Sequence, residues 1–131
     1  MSHRLHSSER LKSRKEIGRL FAPGVQTAAA YPIRILYREV EQVRGPHPIQ
    51  VTFVVPKKRF KRAVDRNLLK RRMREAYRLN KDVIDWARPQ VQEGSREASV
   101  QLALLFMYTG KEIAPYAEIE KRVRKLLARS F

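Results

Sequence analysis

The stretch between Pro56 and Pro89 constrains this chain more than any other. Leu69, Met73, Ala76, Val83 and Ala87 recur there at helical spacing, interrupted only by Asn80. A long helix is therefore predicted from about Ala63 to about Ala87. At about 100° per residue, Arg66, Asn67, Lys70, Arg71, Arg74 and Arg78 share an arc of roughly 140°. Leu69, Met73 and Ala76 lie across the helix from them. Such a helix must dock its apolar side on another layer and keep a row of cations in water.

The rest of the chain supplies that layer. Ser13 is a good N-cap with Glu16 three residues on, a capping-box pattern, and Ile17, Leu20 and Phe21 form an apolar stripe that Pro23-Gly24 ends. Residues 25–30 read as a weak Ala-rich strand. Residues 32–40 read as a stronger one, with Ile33, Ile35 and Tyr37 on one face and Arg34 and Arg38 on the other. The turn Gly45-Pro46-His47-Pro48 leads into a strand over 49–55, with Val51, Phe53 and Val55 on one face. Residues 90–98 are a polar loop, and 99–107 run apolar without alternation, as a buried strand does. Phe106 and Tyr108 read as core and strand end, and Trp86 as a cover for the far end of the long helix.

A last helix is predicted from Pro115, with Tyr116, Ile119, Val123, Leu126 and Leu127 as its stripe. Glu118 and Glu120 come early in it and Lys121, Arg122, Arg124 and Lys125 late, as the helix dipole favours. The order is α-β-β-β-α-β-α, which predicts an α/β sandwich: a four-stranded sheet with helices packed on it. The 131 residues suit one domain, over 13–131, preceded by a loose basic arm over 1–12.

Charge narrows the function. Lys and Arg total 29 against 13 Asp and Glu, a net charge of +16. Residues 57–81 carry twelve basic and two acidic side chains, so ten of the sixteen net charges sit there. Glu is too scarce for the usual i,i+4 pairs, and a row of like charges costs stability until something binds it. Lys57, Lys58, Lys61 and Arg62 extend the row ahead of the helix. Arg predominates in the helix, and its planar fork grips phosphate with two hydrogen bonds. A nucleic acid therefore fits better than a lipid surface, because an interfacial helix would need the apolar face that the core takes.

Other classes are disfavoured. There is no cysteine, which excludes disulfides, thiolate metal sites and cysteine nucleophiles. His3, His6 and His47 are too few and too scattered for a zinc site or a His-centred triad. Asp65, Glu75 and Asp82 lie among cations, where ion pairing is the expected role rather than Mg²⁺ binding. No catalytic or metal site on the protein is predicted. No apolar run approaches the roughly 18 residues of a membrane span, and the basic N-terminus lacks the apolar stretch of a signal peptide. A cytoplasmic protein is expected, without a membrane partner.

The stretch KKRFKRAVDRNLLKRRMREAYR, Lys57 to Arg78, resembles the signature of the bacterial ribonuclease P protein subunit. The matching positions are Lys57, Lys58, Ala63, Val64, Arg66, Asn67, Lys70, Arg71, Arg74 and Glu75. LKSRKEIGRLFAPG, Leu11 to Gly24, is similar to the opening helix of that family. There are departures. Leu68 stands where the family has a third residue of an Arg-Asn-Arg run, with Arg72 as a neighbouring cation to stand in for it. Ile17 stands where the family has its first helical aromatic, and Phe21 keeps the second. The loop between Lys58 and Ala63 is a residue longer and more basic than the commonest form.

The resemblance implies a ribosomal protein S5 domain 2-like fold with a left-handed βαβ crossover. It implies that the protein is not the catalyst. A large RNA subunit with bound Mg²⁺ cleaves precursor tRNA, removing the 5′ leader to give the mature 5′ end, and the protein alone binds no cofactor. Lys57, Lys58, Lys61, Arg62, Arg66, Asn67, Lys70, Arg71 and Arg74 would meet the RNA subunit, with the protein as a monomer in the holoenzyme. The single-stranded leader would lie in a cleft between the sheet and the first helix, lined by Ile17, Phe21, Tyr31 and Tyr37, since single strands are held by aromatic platforms beside basic grooves. Composition alone would favour a ribosomal or ribosome-assembly RNA-binding protein with no role in tRNA processing, by abundance, and the spacing of the Lys57–Arg78 motif argues against it. A protein-only nuclease is disfavoured for want of a clustered His or carboxylate set.

Overall fold

A computed structural model describes residues 5, 7–83 and 101–131. Helix α1 (Arg14–Arg19) is followed by strands β1 (Gln26–Ala30), β2 (Ile33–Glu39) and β3 (Ile49–Val54), helix α2 (Ala63–Asn80), strand β4 (Leu102–Tyr108) and helix α3 (Tyr116–Ser130). The predicted α-β-β-β-α-β-α order is the observed one. The sheet order is β1-β2-β4-β3, antiparallel except for β3 beside β4. A parallel pair needs a long crossover, and α2 lies within it.

Strand alternation divides the molecule into two cores. Ile33, Ile35, Val51, Leu104, Phe106 and Tyr108 face α2 and α3, where they meet Leu69, Met73, Ile119, Val123 and Leu126. Leu36, Ala103 and Leu105 face the other way and pack under Leu11 and Leu20. Both faces of β4 are thus covered, which is why its sequence runs apolar without alternation. Fully burying a side chain such as Leu69 or Leu105 contributes about 1.5–3 kcal/mol.

The structure corrects several boundaries. Helix α2 ends at Asn80 and is followed by a 3-10 turn, Lys81–Val83. Buried Asn80 uses its side-chain amide to donate to the Ala76 carbonyl at 2.8 Å, taking an acceptor near the helix end. The predicted last turn with Trp86 and Ala87, and the polar loop over 90–98, lie outside the described residues. The arm is not loose over its described part. Arg10 forms a parallel bridge with Val51, the Leu11 N–H donates to the Val51 carbonyl at 2.9 Å, and Leu11 is buried. Tyr77 falls inside the arc assigned to cations, yet it is 2% exposed and packs edge-on to Phe106. The buried face of α2 is therefore wider than its aliphatic residues indicate.

Ser13 caps α1 as expected, accepting from the Glu16 N–H at 3.2 Å. Glu16 does not complete the box. Its carboxylate, 1% exposed, accepts instead from the Arg19 and Arg44 guanidiniums and from the N–H groups of Glu41 and Gln42. Arg38 donates to the carbonyls of Arg19 and Pro23, both at 3.1 Å, so a β2 cation satisfies the end of α1. Gly24 then turns the chain at φ +95°, beside that guanidinium.

Candidate nucleic-acid interface

The loop before α2 and the outer side of α2 form one cationic surface. Lys57, Lys58, Lys61 and Arg62 are exposed, as are Asn67 and Arg71, while Arg66, Lys70 and Arg74 are half-buried. None of these cations makes an ion pair among the described residues. Arg66 has a second task. Its Nη1 donates to the carbonyls of Phe60 and Lys61, both at 2.8 Å, which ties the basic loop to the first turn of α2. Phe60 is buried against Tyr108 and anchors the loop from below.

Other cations of α2 are spent elsewhere. Arg78 pairs with Glu75, which lowers the Glu75 pKa and raises that of Arg78. Arg72 Nη1 donates to the Ala114 carbonyl at 2.6 Å, toward α3, so it does not stand in for the missing cation at Leu68. Arg74 and Arg10 of the arm line one cavity. Burial, and then the Arg10 charge, push the Arg74 pKa down from the ordinary arginine value. Among the described residues no three His, Cys, Asp or Glu side chains come together to hold a metal ion. No helix among them is long and apolar enough to cross a membrane.

Three comparisons bear on what this surface serves. A family model described as Ribonuclease P matches residues 5–130. The chain belongs to the ribonuclease P protein family. It is 35% identical over 125 residues to the ribonuclease P protein component of Porphyromonas gingivalis, covering 95% of this chain and 85% of that one. It is 34% identical to the ribonuclease P protein component of Chlorobaculum tepidum, covering 94% and 80%. Its fold matches the RNase P protein of Thermotoga maritima with a TM-score of 0.67 at 22% identity, over 93% of this chain and 97% of that one. It also matches the Staphylococcus aureus RNase P protein with a TM-score of 0.68 at 15% identity, over 95% and 96%. Membership in the ribonuclease P family ties the chain to an endoribonuclease, to tRNA processing and to an RNA subunit.

The aromatic set expected for the leader cleft does not come together. Ile17 packs on the α1 side of the sheet with Val54 and Met107, and Phe21 is 58% exposed at the end of α1. Tyr37 is on the opposite face, its ring 4.9 Å from that of Phe131. The cause is strand parity: Tyr37 shares a face with Ile33 and Ile35, and that face belongs to α2 and α3. Tyr31 is exposed in the β1–β2 turn, where it lines a cavity of about 360 Å³ with Tyr108, Ile113 and Pro115. What the structure places with Ile17 instead is Val54 and Met107, with exposed Arg34 paired across from Met107. The even positions of β2 carried that signal, since Arg34, Leu36 and Arg38 alternate against the helix-facing residues.

Proposed function

We propose that this chain is the RNA-binding, non-catalytic subunit of a ribonuclease P, assisting an RNA subunit that removes the 5′ leader of precursor tRNA. The observation that carries the reading is the surface of Lys57, Lys58, Lys61, Arg62, Arg66, Lys70, Arg71 and Arg74, with Asn67 among them, whose cations have no ion pair among the described residues, in a chain of this family. These residues would meet the RNA subunit's phosphates, and each phosphate neutralised adds about −0.7 to −0.9 to the log–log salt slope of binding.

The leader would lie on the α1 side of the sheet. Exposed Phe21 gives a base a stacking surface, and Ile17, Val54 and Met107 give it a half-buried apolar floor. Arg34 is the cation at hand for its phosphates. Base stacking on one aromatic is worth about 1–3 kcal/mol.

Among the described residues no three acids cluster, Asp65 makes no ion pair, and three other acids are already engaged by cations. Glu16 is held by Arg19 and Arg44, Glu75 by Arg78 and Glu9 by Lys81. We therefore assign the Mg²⁺ of the reaction to the RNA subunit and no catalytic residue to this chain. The protein would act in the cytoplasm, as one copy in the holoenzyme.

Reconstitution tests this. Mixed with a bacterial ribonuclease P RNA at low Mg²⁺, the protein should restore cleavage of precursor tRNA at the mature 5′ end. The double variant Arg66→Glu/Lys70→Glu should flatten the salt slope and weaken assembly. Undiminished RNA affinity in that variant would remove α2 as the RNA-binding element. Cleavage by the protein without any RNA subunit would instead establish a protein nuclease.

A further inference from the structure

The edge of the sheet carries a second cationic feature. Strand β3 is an edge strand, and the arm pairs with it through a single bridge at Val51. Past that bridge lies a cavity of about 230 Å³, lined by Arg10, Lys12 and Leu11 of the arm, Thr52 and Phe53 of β3, and Arg74 of α2. Three cations from two separated parts of the chain, the arm and α2, thus converge on one opening. None has an ion-pair partner among the described residues. Burial lowers the Arg74 pKa most and the Arg10 charge adds to it, against an opposing pull from Glu75, which is itself paired with Arg78. Like charges held together around a cavity without ion pairs of their own cost stability, and an anion between them reverses the sign of that interaction.

Position gives the anion its identity. The side chain of Thr52 belongs to the α1 side of the sheet, since Thr52 pairs with Leu105, while Phe53 belongs to the α2–α3 side. The pocket therefore straddles the edge between the cationic surface of α2 and the face that carries Phe21. Arg74 belongs both to the α2 surface and to this pocket, so an RNA held along α2 reaches this edge. We infer that Arg10, Lys12 and Arg74 form a pocket for one phosphodiester group of the bound RNA subunit, at the sheet edge where the α2 surface meets the arm. Arg74 supplies one side of the pocket, and the arm, bridged to β3, supplies the other two cations. The inference rests on the reading that the chain binds RNA.

The test has two parts on the full-length protein. Inorganic phosphate is titrated while the Arg Nε–Hε resonances are followed by NMR, with chloride at matched ionic strength as reference. The Arg10 and Arg74 signals should shift together and saturate with phosphate only, and Arg74→Gln should abolish the Arg10 response. Lys125→Gln on α3 should leave it intact. Equal, non-saturating shifts of all arginines, or the same shifts with chloride, would overturn the pocket. In the second part, Arg10→Gln/Lys12→Gln should lower the magnitude of the salt slope for RNA-subunit binding by about 0.7–0.9, the loss of one phosphate contact. Phosphate binding with an unchanged slope would overturn the RNA assignment and leave a site for free anions. Should the unaltered protein fail to bind the RNA subunit at all, the functional reading falls, while the NMR titration still decides whether the pocket takes phosphate.

Discussion

The Arg44 guanidinium stands 2.9 Å from the Glu16 carboxylate, across a separation of 28 residues. Arg19 holds the other carboxylate oxygen at 2.8 Å, so α1 is locked to the loop after β2 through one buried acid. Burial alone would raise the Glu16 pKa. The Arg44 and Arg19 hydrogen bonds, with those from the Glu41 and Gln42 N–H groups, overcome it and hold the value at about 2, against an ordinary 4.5.

This latch makes stability depend on pH with a defined sign. A carboxyl whose folded pKa is depressed stabilises the fold above its unfolded value, here 4.5. That contribution is lost as pH falls from 4.5 toward about 2. Its size is on the order of 2–3 kcal/mol. Glu16→Gln should lower the melting temperature at pH 7 and flatten the change in melting temperature across the window. A variant that loses stability in parallel with the wild type between pH 4.5 and 2 would show that other groups govern the acid transition.

Two glycines should respond to alanine with opposite signs. A Cβ at Gly110 would stand 2.8 Å from Pro32 Cβ and 2.9 Å from the Tyr108 ring, both held in packed structure. Gly110→Ala should cost about 1–3 kcal/mol through overpacking. A Cβ at Gly18, inside α1, meets nothing within 4 Å. Gly18→Ala should stabilise by about 0.5–1 kcal/mol through helix propensity. Denaturant unfolding of both variants checks the pair.

Periodicity revealed the elements because each signal was local. The stripes of α2 and α3, the alternation of β2 and the unbroken apolar run of β4 all follow from neighbours a few residues apart. What escaped was set at long range. Glu16 looked like half of a capping box because its partners, Arg44 and the Glu41 and Gln42 N–H groups, come from a loop after β2. Tyr37 was rightly placed beside Ile33 and Ile35. The side of the sheet that α1 would occupy is a tertiary choice, and it left Tyr37 with Phe131 rather than with Phe21. The cations of α2 were visible in sequence, but only the fold brings Arg72 to the Ala114 carbonyl and Arg74 beside Arg10.

Arg66 should separate charge from shape. Arg66→Lys keeps the charge, so the salt slope of RNA binding should not change. A lysine cannot reproduce the planar contact with both the Phe60 and Lys61 carbonyls. The loop over 57–62 should then exchange its amide hydrogens faster, and RNA affinity should fall about tenfold, equivalent to ~1.4 kcal/mol. Unaltered exchange in the loop would mean that Phe60 burial alone holds it.

Phe21 and Tyr37 should diverge because they lie on opposite sides of the sheet. Phe21 is 58% exposed, so Phe21→Ala should change stability by no more than about 0.5 kcal/mol. Its effect should appear in binding, as a loss of the preference for precursor over mature tRNA, with about 1–3 kcal/mol at stake for a stacked base. Tyr37→Ala removes the ring contact with Phe131 and opens the helix-side core, so it should cost about 2 kcal/mol of stability. At a temperature where that variant is folded, its preference for precursor should match the wild type. If Tyr37→Ala instead abolished the preference while Phe21→Ala kept it, the leader would have to run on the α2–α3 side of the sheet.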